Sequence, residues 1–137
     1  NLLELGSGCG YQSVVLSFFS EKVDAIERIK PLVHKSRENL SNLKINNVLF
    51  RHGDGYEDWD KQKKYDGILC AAAPRAYPND LVSVLNDDAK LVIPVGGSSQ
   101  KLNVITKNKD GEIKEEQYDD VSFVPMLAGK SEDGNDV

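Results

Sequence analysis

A glycine-rich turn near the start of the chain most narrowly limits its fold. The segment Gly6–Gly10 (GSGCG) follows a short apolar run, Leu2–Leu5, and precedes an unbroken, largely apolar stretch, Tyr11–Phe19. The run predicts a strand and the stretch predicts a helix. Glycines at such a turn allow the backbone to approach a ligand closely, and the start of the helix offers free N–H groups. The chain is therefore predicted to open with a strand, a ligand-binding turn and a helix.

Strand and helix signals then alternate along most of the chain. Pro31 lies near the first turn of the second predicted helix, where its missing N–H costs least. Alternation of this kind indicates a parallel sheet with helices on its faces. After the first helix, the predicted elements are the strand Val23–Glu27, a long helix containing Pro31, the strands Asn46–Arg51 and Tyr65–Cys70, the helix Pro78–Leu85 and the strand Ala89–Val95.

The remainder of the chain indicates antiparallel pairing. Only residues 96–101 separate Val95 from Leu102, whereas a parallel crossover needs about ten residues or more. The segment Leu102–Thr106 is therefore predicted to return antiparallel, and Val121–Val124 is predicted to form a last strand. We expect the α/β class, as a Rossmann-like three-layer sandwich whose mostly parallel sheet ends in an antiparallel meander.

Composition limits the classes of partner. Lys and Arg number 17 against 22 Asp and Glu, so the net charge is −5, and this acidic balance argues against nucleic acid as a partner. No apolar run approaches the roughly 20 residues of a membrane-spanning helix, which argues against a membrane. Two cysteines, Cys9 and Cys70, favour a reducing, cytoplasmic setting over a disulfide scaffold. No cluster of His, Cys and acidic residues has the spacing of metal ligands, so no metal site is predicted.

Chain length suits one domain of ordinary size. We expect a monomer whose domain covers residues 1–130, followed by a mobile acidic tail, residues 131–137. The sequence begins with Asn1 rather than Met, in a strand already under way. It is therefore interpreted as a fragment whose N-terminal portion is missing.

Acidic residues stand at the ends of the first three predicted strands. Glu4 lies two positions before the glycine turn, Glu27 closes the second strand, and Gly53-Asp54-Gly55 follows the third. A carboxylate at the place of Glu27 can accept hydrogen bonds from both vicinal hydroxyls of a ribose, and one at Asp54 can meet an adenine amino group. Because ligands of open α/β sheets bind at the carboxyl edge, the three strand ends together predict a nucleoside site.

The spacing of the glycines distinguishes between two classes of nucleoside ligand. The dinucleotide fingerprint G-x-G-x-x-G would place its third glycine at position 11, which is Tyr11. The observed spacing is G-x-G-x-G, so an NAD-binding dehydrogenase is the less favoured interpretation. A purely structural glycine turn is a further alternative, although three glycines in five residues are seldom required by packing alone.

The end of the fourth predicted strand carries no group that could remove a proton. The segment Cys70–Pro74 (CAAAP) contains no acid, His or Lys. A carboxylate acceptor would need none, because it is already ionised at pH 7. Alignment of the acceptor and exclusion of water would then suffice. The small alanines also leave room for an extended peptide to cross the strand end.

These residues resemble a known family, the protein-L-isoaspartate (D-aspartate) O-methyltransferases, which are class I enzymes dependent on S-adenosylmethionine. The first matching segment alone indicates only the wider methyltransferase class, whereas Arg51–Tyr56, the Ala-Ala-Pro ending at Pro74 and Phe123–Pro125 are more specific. The matching segments are Glu4–Gln12, Ile26–Pro31, Arg51–Tyr56, Tyr65–Pro74, Leu91–Gly96 and Val121–Leu127.

The resemblance implies transfer of a methyl group from S-adenosylmethionine to the α-carboxylate of isoaspartyl residues in damaged proteins, as a repair step that leaves S-adenosylhomocysteine. It implies three groups of site residues. Those around the methionine part of the cofactor are Glu4, Gly6, Ser7 and Gly8; those at its adenosine are Glu27 for the ribose and Asp54 and Gly55 for the adenine, with Gln100 nearby; and those of the substrate groove are Ala72, Ala73 and Pro74.

One part of the family pattern is absent from the sequence. Family members carry a Thr-Ile-Ser-x-Pro-like segment whose Ser is assigned to the active site, and that segment would precede Asn1. No residue of this sequence is therefore predicted to be catalytic, and the fragment is expected to be weak or inactive by itself. Two alternatives stay open, a class I methyltransferase acting on another substrate and a non-catalytic relative that binds the cofactor.

Overall fold

The computed structural model describes residues 1–135 and divides into two compact units. Unit 1 comprises Asn1–Trp59 together with the described residues from Leu127 onward, and unit 2 comprises Asp60–Met126. The predicted single domain, residues 1–130, stays a prediction, and its residues fall in both units. Residues 136 and 137 of the predicted tail lie outside the described part of the chain.

Unit 1 contains three parallel strands in the order β3-β2-β1. Leu2 of β1 is opposite Val23 of β2, and Val23 is in turn opposite Val48 of β3. Because the three strands run in the same direction, their carboxyl ends lie at one edge. The elements of unit 1 are β1 (Leu2–Leu5), α1 (Tyr11–Ser17), β2 (Val23–Glu27), α2 (Lys30–Asn42) and β3 (Val48–His52).

A buried apolar cluster joins α2 to this sheet. Val33 and Leu40 of α2 pack with Ala25 of β2 and Phe50 of β3, and none of the four is more than 5% exposed. Val33 and Leu40 are seven positions apart and share one helix face, and Ala25 is directly opposite Phe50 in the sheet. Pro31 lies in the first turn of α2, as predicted.

Gly10 connects the glycine turn to α1 at a position that a side chain would obstruct. Its φ is +94°, a left-handed conformation that residues with a Cβ disfavour. A Cβ at Gly10 would lie 2.9 Å from Leu40 Cδ1 and 3.4 Å from Ser36 Cα. Ser36 Oγ donates a hydrogen bond to the Gly8 carbonyl at 2.6 Å. The glycine turn therefore rests directly against α2.

Unit 2 combines one parallel strand pair with two antiparallel pairs. Strand β4 pairs parallel with β5, whereas β5 with β6 and β6 with β7 are antiparallel. The predicted antiparallel return is confirmed, with Gly96 opposite Gln100. The predicted fold class is confirmed as well. The elements of unit 2 are β4 (Tyr65–Cys70), α3 (Asn79–Ser83), β5 (Leu85–Gly96), β6 (Gln100–Lys107) and β7 (Ile113–Val121).

The last strand lies earlier in the chain than predicted. Strand β7 is Ile113–Val121, whereas the sequence indicated Val121–Val124. Strand β7 is an exposed edge strand rich in charged residues, so it lacks the alternation of apolar and polar residues on which the prediction depends. The residues of the predicted strand that follow β7 are instead hydrogen-bonded to the loop after β4: Ala73 N donates to the Val124 carbonyl, and Met126 N donates to the Ala73 carbonyl.

Candidate functional site

The carboxyl ends of β1, β2 and β3 are joined by backbone hydrogen bonds. Gly6 N donates to the Ile26 carbonyl at 2.8 Å, and Gly53 N donates to the Glu27 carbonyl at 3.0 Å. The glycine turn after β1 and the loop after β3 therefore both lie against the end of β2. Unit 1 thus brings the predicted residues of these strand ends together at one edge of the sheet.

The carboxylate of Glu27 connects the glycine turn to the turn that precedes α2. Its Oε2 accepts a hydrogen bond from Gly8 N at 2.8 Å, and its Oε1 accepts one from Ile29 N at 3.1 Å. Glu27 is only 6% exposed. Each carboxylate oxygen has two acceptor positions, so both oxygens keep capacity for a further donor. A carboxylate with acceptor capacity left on both oxygens can take hydrogen bonds from a pair of vicinal hydroxyls.

Two buried oxygen atoms at the glycine turn lack a hydrogen-bond partner among the described residues. They are Glu4 Oε2 and Ser7 Oγ. The other oxygen of Glu4 accepts a short hydrogen bond from Ser13 Oγ of α1. A buried acceptor without a donor is costly, and such atoms call for an explanation such as an ion or a ligand. The two unpaired atoms are therefore the groups at this turn that still have capacity for a hydrogen-bond partner.

Burial makes Glu4 harder to ionise than an ordinary glutamate. The pKa of its carboxyl is raised from 4.5 to about 6, chiefly by desolvation; the hydrogen bond from Ser13 opposes this rise and the nearby charge of Glu27 adds to it. A cation or an ammonium group beside Glu4 would reverse this effect, because it favours the charged carboxylate.

Replacing Glu4 by Gln is expected to stabilise the protein at pH 7.5 and not at pH 4. The favourable contribution of the neutral carboxyl is present below the unfolded-state pKa of 4.5 and is lost as the pH rises through about 6. A shift of that size corresponds to about 2 kcal/mol, which is the upper limit of the expected gain in unfolding free energy. Urea unfolding at the two pH values measures it.

The exposed Glu38 of α2 provides the control for that experiment. Glu38→Gln changes the same chemical group outside the buried site, so its unfolding free energy should stay the same at both pH values. A Glu4→Gln protein that is less stable than wild type at pH 7.5 would contradict the assignment of a desolvated charge to Glu4.

The loop after β3 is fixed by its own carboxylates. Asp54 Oδ1 accepts from Tyr56 N at 2.8 Å, and the side chain of Asp58 accepts from Asp54 N at 2.6 Å. Trp59, which is 4% exposed, donates its indole N–H to the Gly55 carbonyl at 3.0 Å. The predicted adenine-contacting pair, Asp54 and Gly55, is thus held in a defined loop by the side chains of Asp58 and Trp59.

Gln100 uses both ends of its side-chain amide within unit 2. Its Oε1 accepts from Phe123 N at 2.8 Å, and its Nε2 donates to the carbonyls of Phe123 at 3.0 Å and Gly97 at 3.2 Å. Gln100 therefore pairs with the Phe123 backbone much as a neighbouring strand would. Its predicted place near a cofactor stays a prediction.

The three residues of the predicted substrate groove follow β4 in unit 2. Ala73 and Pro74 are buried, and Ala72 is half-buried. The Ala73 backbone is bonded to the segment after β7, and the Pro74 carbonyl accepts a hydrogen bond from Gly96 N at 2.9 Å. Their backbone is therefore firmly held, and their role as a groove stays a prediction.

Sequence reasoning missed three supports of the site. Ser13 binds Glu4, Asp58 holds the loop of Asp54, and Gly129 N donates to Asp54 Oδ2 at 2.8 Å. Each contact joins a side chain to a partner that no periodic pattern places beside it. The acid four residues after Asp54 was the one available signal, because acids at that spacing often close a loop on its own backbone.

Both cysteines are free thiols, Cys9 exposed and Cys70 buried. Burial raises the pKa of the Cys70 thiol to about 11. Within residues 1–135, no three His, Cys, Asp or Glu side chains are grouped so as to hold a metal ion. In the same part of the chain, no helix is both long and apolar enough to cross a membrane.

Curated proteins are similar to this chain along most of its length. The chain is 43% identical over 130 residues to a protein-L-isoaspartate O-methyltransferase of Aliivibrio fischeri, a match that covers 95% of this chain and 62% of the relative. It is 40% identical over 129 residues to the enzyme of the same name from Halorhodospira halophila, covering 94% and 59%. The chain therefore spans about 60% of the length of these curated relatives.

Solved structures share the fold. A Plasmodium falciparum structure described as a protein-L-isoaspartate O-methyltransferase in complex with S-adenosyl-L-homocysteine superposes with a TM-score of 0.81 at 31% identity, covering 92% of this chain and 65% of that one. A second structure named protein-L-isoaspartate O-methyltransferase gives a TM-score of 0.84 at 23% identity, covering 95% and 43%, and supports the fold alone.

The sequence profile of one family covers nearly the whole chain. It is described as protein-L-isoaspartate(D-aspartate) O-methyltransferase and matches residues 1–131. Together with relatives above 40% identity and the shared class I fold, this match confirms the resemblance carried by the glycine turn and the strand ends. The chain belongs to the protein-L-isoaspartate(D-aspartate) O-methyltransferase family.

Proposed function

We propose that the chain forms the cofactor-binding part of a methyltransferase that transfers a methyl group from S-adenosylmethionine to isoaspartyl carboxylates in proteins. One observation carries the proposal. The ends of three parallel strands converge in unit 1 and bring Glu4, Glu27 and the loop of Asp54 to a single edge, beside a glycine turn. Membership of the family supports methyl transfer as the reaction that this edge serves.

The acceptor groups at this edge suit each part of S-adenosylmethionine. Glu27 has acceptor capacity for the two ribose hydroxyls, and Asp54 with Gly55 offers an acceptor and a backbone for the adenine. Around the methionine part, Glu4 carries a buried carboxylate oxygen without a partner among the described residues, which suits an ammonium group. The residues proposed to contact this part are Glu4, Gly6, Ser7 and Gly8.

The carboxylate that accepts the methyl group needs no general base from the chain. When bound, S-adenosylmethionine supplies a methyl group activated by a sulfonium, and an ionised carboxylate can accept it without first losing a proton. Ala72, Ala73 and Pro74, which we propose for the substrate groove, accordingly carry no titratable side chain. Their contribution would be to align an extended peptide and to exclude water.

We further propose isoaspartyl proteins and peptides as the partners, and a monomer in the cytoplasm as the setting. The net charge of −5 and two free thiols support this setting. The chain spans about 60% of the length of its curated relatives, so the activity of the whole protein is a proposal beyond these 137 residues. The decisive assay therefore uses the complete protein as its gene encodes it.

Methyl transfer to matched peptides tests the proposal. The complete protein is incubated with methyl-labelled S-adenosylmethionine and either an isoaspartyl peptide or the same peptide with normal aspartate. We expect base-labile methyl ester on the isoaspartyl peptide and none above background on the aspartyl control. Equal labelling of both peptides, or labelling of neither, would overturn the assignment of the substrate. Binding of S-adenosylhomocysteine without any turnover would instead indicate a non-catalytic relative.

A further inference from the structure

The described end of the chain lies across the carboxyl ends of β2 and β3. We call residues 128–134 the terminal strap. Ser131 N donates to the Arg28 carbonyl at 2.8 Å, and Lys30 N donates to the Ser131 carbonyl at 2.9 Å, so that Ser131 forms a parallel bridge with Ile29. Ser131 is 3% exposed. The mobile tail expected at residues 131–137 stays a prediction; within it, Ser131 is hydrogen-bonded to the backbone on either side of Ile29, and Gly134 N is hydrogen-bonded to Ser131 Oγ.

His52 at the end of β3 is hydrogen-bonded to the strap and to the loop after β2. Its Nε2 lies 2.9 Å from the Arg28 carbonyl and 3.1 Å from the Ser131 carbonyl. Both partners are acceptors, so this nitrogen must carry the proton and donate to them. Within the strap, Ser131 Oγ accepts from Gly134 N at 2.7 Å, which closes a compact turn.

The strap is connected by hydrogen bonds to both carboxylates proposed to hold adenosine, directly to one and through the backbone to the other. Gly129 N donates to Asp54 Oδ2, and Ser131 fixes the backbone on either side of Ile29, whose N–H donates to Glu27 Oε1. The strap therefore restricts the orientation of Asp54 directly and that of Glu27 through the Ile29 turn. Neither contact reaches Glu4 or Ser7, which we propose for the methionine part.

We propose that the terminal strap, with His52 and Ser131 as its positioning residues, sets the affinity of the site for the adenosine half of its ligand. This inference rests on the proposed function, since it requires a nucleoside at these strand ends. A preorganised acceptor pair loses less conformational freedom when the ligand binds, and its release would weaken binding without removing any ligand contact.

Calorimetric titration of S-adenosylhomocysteine into the 137-residue chain tests the inference. One variant ends after Leu127 and lacks the strap. A second, His52→Phe, keeps a ring of similar size and removes the donor. The control is Glu132→Gln, which removes an exposed charge together with its ion pair to Lys30 and leaves the backbone contacts of the strap in place. All titrations are made well below the melting temperature of each variant.

We expect the truncated variant and His52→Phe each to weaken binding about tenfold, because the released carboxylate side chains would have to be ordered again when the ligand binds. The control should stay within twofold of wild type. The affinity of these variants for adenosine alone should fall by the same factor, because the strap is bonded only to the residues proposed to hold adenosine. Thermal unfolding shows which variants are folded, and if the truncated chain does not fold, His52→Phe decides.

The possible outcomes separate the inference from the proposed function. If the wild-type chain binds neither S-adenosylhomocysteine nor adenosine, the proposed function fails and this inference fails with it. If the wild type binds and a folded strap variant binds equally well, the inference alone is overturned. Loss of affinity for S-adenosylhomocysteine with unchanged affinity for adenosine would also overturn it, since the strap would then act on the methionine part.

Discussion

Replacing Glu27 by Ala is expected to weaken the binding of S-adenosylhomocysteine by about a hundredfold or more. Glu27 is the side chain proposed to accept both ribose hydroxyls, and its carboxylate also connects Gly8 N to Ile29 N across the site. Hydrogen bonds to a charged group contribute about 1.5–3 kcal/mol each, and 1.4 kcal/mol is tenfold in affinity. Isothermal titration calorimetry measures the change directly.

Glu27→Gln distinguishes the role of the charge from that of the shape. The amide keeps one acceptor oxygen and the volume of the side chain, so we expect a loss of about tenfold. Glu38→Gln, which alters an exposed acid on α2, should leave the affinity unchanged. Wild-type affinity in a folded Glu27→Ala protein would exclude this carboxylate as the ribose ligand.

Replacing Gly96 by Ala is expected to destabilise the protein by about 3 kcal/mol or more. Gly96 ends β5 with φ of +140°, and a Cβ there would lie 2.0 Å from the Ser99 carbonyl oxygen and 2.9 Å from Gln100 Cα. Both atoms belong to the backbone of the β5–β6 turn, so the strain cannot be relieved by rotation of a side chain. The backbone of the turn must therefore shift to accept the side chain.

Gly111→Ala is the matched control, because Gly111 also has a positive φ, +80°, and nothing lies within 4 Å of its Cβ position. It should cost only the backbone strain, about 1 kcal/mol. Urea unfolding compares the two variants with wild type. Equal stability of the two alanine variants would show that the turn after β5 can accept a side chain and would contradict the geometry described here.

Much of the fold could be predicted from the sequence because local signals agreed with the tertiary arrangement. The strands Val23–Glu27 and Tyr65–Cys70 have the bounds that their apolar runs indicated. The antiparallel return of β6 followed from the short connection after β5. Strand β7 could not be placed in this way, because a charged edge strand is held by backbone pairing to one neighbour and buries little of its surface.

The acids and glycines of the candidate site could be predicted from the sequence. The residues that hold those acids in place could not. Strand ends and a glycine turn are local features, so the convergence of Glu4, Glu27 and the loop of Asp54 followed from a parallel sheet. The contact between Gly129 and Asp54 spans 75 positions of sequence and joins a backbone N–H to a side chain. Such a contact leaves no periodic trace in either segment, and the same holds for the bond between Ser13 and Glu4.

Backbone amide spectra with and without S-adenosylhomocysteine test the central claim most directly, namely that the carboxyl ends of β1, β2 and β3 hold the nucleoside. The predicted result is saturable shifts of the ¹H–¹⁵N signals of Gly8, Ile29 and Gly129, whose N–H groups bond to Glu27 and Asp54. Signals of the turn at residues 108–111, which belongs to unit 2, should not move. Saturable binding that leaves the amides of the three strand ends unmoved, or no binding at all, would contradict the account.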